Sequence, residues 1–109
     1  GSGLVGSEMC IRDSYGGCSL LVEAEAQEES APPEENALRA RRQSFYERSG
    51  FRRLDYQTRI FGVQYAMLVW PEEDAAEPER LQDAHRGLYR GQLPNPLFRR
   101  VIHIPADEH

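Results

Sequence analysis

Apolar positions along the chain fall into short runs separated by acidic or proline-bearing connections. Ser19-Leu20-Leu21-Val22-Glu23-Ala24-Glu25 is an apolar run with a β-branched centre that closes on carboxylates, the pattern of a buried strand. Gln27 to Glu35 holds four glutamates and Pro32-Pro33 and reads as an exposed connection; the glutamates have no period that would aim them at one metal ion. Asn36 suits a helix N-cap, and Ala37-Leu38-Arg39-Ala40 has the propensity to continue as helix to about Arg48. Leu38 and Phe45, seven apart, mark a narrow inward stripe on that helix. Phe45 and Phe51 are assigned to the core, and Gly50 supplies the left-handed exit from the helix.

From Phe51 to Trp70 the alternation shortens to the period of strands. Leu54 to Ile60 and Gln64 to Trp70 form a hairpin across the Phe61-Gly62-Val63 link, and Pro71 ends it. Glu72 to Glu77 is an acidic linker. Pro78 opens a second helix, on which Leu81, Ala84, His85 and Leu88 follow i, i+3, i+4, i+7, ending near Gly91. Leu93-Pro94-Asn95-Pro96 predicts an extended loop, and Leu97 to Ile104 a last strand, with His103 facing opposite to Ile102 and Ile104. Residues 1–17 lack any sustained period and are expected to form a non-native or disordered arm, leaving 18–109 as one domain.

At 109 residues the chain accommodates one modest core. Charged residues make up 28%, mean hydropathy is −0.67, and no apolar run is long enough to cross a bilayer. No membrane partner follows. The net charge of −5 argues against nucleic acid as a partner, although all 13 basic residues are arginine. Cys10 and Cys18, eight apart, have neither metal-ligand spacing nor a paired framework, so a reducing, cytoplasmic setting is expected. No metal site, P-loop or Ser-His-Asp order is present in the pattern.

Two resemblances change this picture. The run Leu4-Val5-Gly6-Ser7-Glu8-Met9-Cys10-Ile11-Arg12-Asp13-Ser14 resembles translated sequencing-adaptor DNA and is set apart from the fold. Phe45-Tyr46-Glu47-Arg48-Ser49-Gly50-Phe51, between an apolar strand and a hairpin, resembles the F-Y-E-x-x-G-F signature of the GNAT superfamily of N-acetyltransferases. The likeness spans about Leu20 to Trp70. It implies an α/β architecture, a partial GNAT fold with a mixed β-sheet and flanking helices. The family's glycine-rich pyrophosphate turn is not found before Leu20, and Gly16-Gly17 does not supply it. The chain is therefore expected to be the C-terminal half of such an enzyme, inactive alone and with an unpaired sheet edge.

What the resemblance implies is transfer of an acetyl group from acetyl-CoA, as co-substrate, to an amine acceptor. Tyr46 matches the tyrosine that protonates the departing thiolate, and a phenol with a pKa near about 10 holds its proton at neutral pH. Arg39 and Arg42 stand where many members have Asn and Ala, and with Tyr46 they are the candidate cofactor contacts. Glu23, or Glu25, is the candidate general base for the amine. His85 alone on an apolar face reads as a core-edge residue. The alternative function class is a non-catalytic α+β module whose Arg-rich and C-terminal helices dock a protein.

Overall fold

A computed structural model of the chain describes residues 7–12 and 17–106. Residues 1–6, 13–16 and 107–109 lie outside them, and with these parts of the expected arm, parts of the adaptor-like run, and Gly16. The described residues form a mixed α/β fold of five strands and three helices. In order these are β1 (Ser7–Arg12), β2 (Cys18–Glu25), α1 (Pro33–Arg48), β3 (Arg52–Ile60), β4 (Val63–Trp70), α2 (Pro78–Arg90), α3 (Asn95–Val101) and β5 (Ile102–His103), with a 3-10 turn at Glu72–Ala76. The sheet order is β1-β2-β4-β3-β5, and every pairing is antiparallel. This corrects the expected mixed sheet. No described helix is long and apolar enough to cross a membrane.

The centre of the sheet follows from composition. In β2 and β4 consecutive residues on both faces are buried (Leu21 to Ala24, Ala66 to Val69), which is why these runs are continuously apolar instead of alternating. The hairpin expected between β3 and β4 forms with a tighter link. Ile60 pairs with Val63, leaving Phe61 and Gly62 as its two loop residues, at φ 51° and 82°. Two positive φ values in sequence match the twist of the flanking strands. Gly50, at φ 102°, performs the expected turn out of α1, and the Phe51 amide bonds back to the Tyr46 carbonyl.

Several expectations are overturned. Residues 7–12, placed in an arm outside the fold, form β1 along β2, with Ile11 4% exposed in the core. β2 consequently has no open edge; the edges are β1 and the short β5. Cys10 and Cys18, expected to be unpaired, are disulfide-bonded across β1 and β2, with Cα atoms 5.6 Å apart. Helix α1 begins at Pro33 rather than after Asn36, because proline fits the first turn where no amide bond is needed. Asn36 instead clamps the preceding loop, accepting from the Glu28 amide (3.0 Å) and donating to its carbonyl (2.8 Å).

The inward face of α1 is also different. Only Gln43 and Tyr46 are buried on it, while Leu38 and the supposed core residue Phe45 are 37% and 53% exposed. Arg39, Gln43 and Tyr46 occupy the sheet side because Arg39 and Gln43 find backbone acceptors there, the carbonyls of Ala26 and Glu25. The expected strand over Leu97 to Ile104 is mostly helix. Pro96 sits in the first turn of α3, the Phe98 amide bonds to Pro94, and only Ile102 and His103 pair with β3. His103 is half-exposed between buried Ile102 and Ile104, as its alternation predicts.

Candidate active site in the α2 face of the sheet

Along β2, side chains alternate between the two faces of the sheet. Val22 and Ala24 meet Tyr46 of α1 and Leu68 on one side. Leu21 points to the other, into a cluster with Ile11, Leu54, Met67, Val69 and Leu81 of α2. Glu23 shares the parity of Leu21 and is 3% exposed. Helix α2 meets it with Leu81, His85 and Tyr89, an i, i+4, i+8 series on one stripe.

Two side chains converge on one oxygen of Glu23. His85 Nε2 lies 2.7 Å from Glu23 Oε2, and the Tyr89 hydroxyl donates to the same atom at 2.8 Å. The two rings are 5.6 Å apart, and His85 is completely buried. The carboxylate opens on a cavity of about 360 Å³ lined by Met9, Glu23, Leu88, Tyr89 and Gln92.

A buried carboxylate is costly unless paired and hydrogen-bonded. Among the described residues, His85 is the one cation-capable group within ion-pair reach of Glu23. His85 Nδ1 is buried and has no hydrogen-bond partner among the described residues. Burial pushes the Tyr89 phenol well above its ordinary pKa, and the hydrogen bond and charge of Glu23 add to this. Tyr65 is raised by burial and by Glu23 and Glu25. The site thus brings the His85 ring and the protonated Tyr89 phenol to one oxygen of the Glu23 carboxylate.

The other predicted residues lie elsewhere. Tyr46 is 2% exposed on the opposite face, packed edge-on against Phe51 at 5.3 Å, with its hydroxyl 3.3 Å from Glu8 Oε2. Its pKa is raised, by burial first and then by Glu8. Arg39 is engaged by the Ala26 carbonyl, by Glu35 at 2.9 Å and by Glu25 at 3.5 Å. Arg42, half-buried, follows on α1. The structure therefore brings Arg39, Arg42 and Tyr46 to one face of α1 and puts Glu23 across the sheet from them. Glu25 belongs to the Arg39 group and not to the cavity.

Tyr89, the residue most closely joined to Glu23 besides His85, was missed. Its signal was available: it lies four residues after His85 and eight after Leu81, while Leu88, chosen for the stripe instead, is 40% exposed. No known family, no curated protein and no solved structure matches this chain.

Proposed function

We propose that the Glu23 cavity is the acceptor site of an acetyl-CoA-dependent N-acetyltransferase, this chain supplying its C-terminal half. The observation that supports the reading is a 97%-buried carboxylate held by His85 and Tyr89 at the wall of a cavity. The order strand β2, signature helix α1, hairpin β3-β4 is also the one the resemblance implies.

In this scheme an ammonium at the cavity gives a proton to Glu23, and the freed lone pair forms the C–N bond to the thioester carbon. The carbonyl oxygen takes the charge as the tetrahedral intermediate forms. Its collapse breaks the C–S bond, and the leaving thiolate takes up the second amine proton through water. His85 and Tyr89 orient the carboxylate. Tyr46 has no step, because the sheet separates it from Glu23, and it serves to pack α1. Arg39 is committed to Glu25, Glu35 and Ala26, so it is not assigned to the cofactor.

The test is to recover the longer parent chain and titrate acetyl-CoA by calorimetry, then to measure thiol release with amine acceptors. Binding is expected, with Glu23→Gln lowering turnover on the order of 10²-fold, the low end of a general base's contribution. No acetyl-CoA affinity in the parent would overturn the reading. A non-catalytic docking module is the second reading, favoured by the outward Leu38 and Phe45 on α1; it predicts a parent that binds no CoA.

A further inference from the structure

Glu23 differs from the other ion-paired acidic residues in its partner. Glu25, Glu35, Glu47, Asp74, Glu77 and Asp83 each have an arginine within ion-pair distance. Glu23, more buried than any of them, meets His85 and Tyr89 of α2 instead of an arginine, both on Oε2. A buried carboxylate at the wall of a cavity of about 360 Å³, with both of its donors on one oxygen, is a place where a cation in the cavity lowers the free energy. The remaining lining states what kind of cation. Met9 and Leu88 are apolar, Gln92 is a neutral amide, and Tyr89 adds an aromatic ring, a surface that attracts ammonium groups. Among the described residues no second carboxylate lines the cavity.

We infer that the cavity binds a monoammonium ligand with an apolar body, its charged head on Glu23 and its hydrocarbon against Met9 and Leu88. Naming this ligand as the acetyl acceptor rests on the proposed function above; the binding itself does not. A diamine leaves its second charge against hydrocarbon and is disfavoured, and a neutral alcohol leaves Glu23 unpaired.

The chain itself, as it stands, is the reagent. Hexylammonium, hexanol and hexane-1,6-diammonium are titrated while amide and methyl resonances are followed by NMR. Hexylammonium is expected to shift residues 9, 23, 88, 89 and 92, with hexanol and the diammonium at least about tenfold weaker. Glu23→Gln should bring hexylammonium to the level of hexanol. Leu88→Trp, at a 40%-exposed position where folding is safe, should fill the cavity mouth and abolish binding with an unchanged circular dichroism spectrum. Equal binding of amine and alcohol, shifts confined to other residues, or an affinity untouched by both variants would each overturn the inference. Ammonium binding together with a parent that transfers no acetyl group would leave the inference standing and remove the proposed function. Transfer by a parent chain whose Glu23 cavity takes no ammonium would do the reverse.

Discussion

Replacing Glu23 in two ways separates its charge from its hydrogen bonds. In Glu23→Ala the Nε2–H of His85 and the hydroxyl of Tyr89 lose their common acceptor. An orphaned buried donor costs about 1–3 kcal/mol. His85 is wholly buried and stands at the upper end, whereas Tyr89 is half-exposed and can turn to water, so the sum is about 3–5 kcal/mol. Against a typical stability of about 5–15 kcal/mol this is a large fraction. Glu23→Gln keeps one carbonyl oxygen with two lone pairs where both donors already meet. It forfeits the charge-assisted part of those bonds but no longer buries an ionised group, and the two changes offset to within about 1 kcal/mol. Urea unfolding followed by circular dichroism reads both, with the slope expected to stay constant. If Gln costs as much as Ala, or if neither costs anything, His85 and Tyr89 do not depend on this carboxylate and the site as described is wrong.

Alkaline unfolding tests the buried phenols. Tyr56 is pushed up to about 12, mainly by burial and despite the nearby Arg86, and Tyr46, Tyr65 and Tyr89 are raised as well. Above pH 10 the unfolded chain releases these protons first, so stability is intact below pH 10 and falls as pH approaches 12, by about 2–3 kcal/mol from Tyr56 alone. Tyr56→Phe should remove that share and, because the buried Tyr56 hydroxyl has no hydrogen-bond partner among the described residues, gain about 1 kcal/mol at neutral pH in the same urea assay. Leu81→Ala, at a fully buried position joining α2 to the sheet, should cost about 2–5 kcal/mol. Phe45→Gln should cost no more than about 1 kcal/mol, since the ring is 53% exposed and touches Tyr46 edge-on; a loss above about 3 kcal/mol would restore the inward Leu38/Phe45 stripe.

How much of this was legible in the chain depends on the kind of signal. The Phe51 to Trp70 hairpin and the helix from Pro78 were readable because their punctuation is local: Gly62 and Pro71 for one, Pro78 and Gly91 for the other. Helix α3 was not, because Leu97 to Ile104 is rich in branched residues, and what decides its conformation is Pro96 entering a first turn capped by the Pro94 carbonyl. The rotation of α1 was hidden for a different reason. Hydrophobic periodicity assumes that the apolar side faces in, but here Arg39 and Gln43 satisfy the carbonyls where β2 ends, and that polar seam outweighs the burial of two apolar side chains. Glu23 was named from its place at a strand end, and its partners were not, because they lie more than sixty residues away.

The alternation of β2 finally decides which residues can act together. A strand sends neighbours to opposite faces, so any group meeting Glu23 must come from the element covering the side of Leu21, and α2 is that element. Val22 and Ala24 claim the side of α1, and Tyr46 with them. The phenol singled out by the F-Y-E-R-S-G-F motif and the carboxylate singled out as a base are thus separated by the thickness of the sheet itself, and no side-chain rotation joins them. The phenol that does share a site with Glu23 is Tyr89, whose position four residues beyond His85 places both rings on one stripe of α2. A helix laid across a central strand with Leu81, His85 and Tyr89 inward gives that strand one apolar contact and two donors, the arrangement a buried carboxylate at position 23 requires to coexist with a folded core.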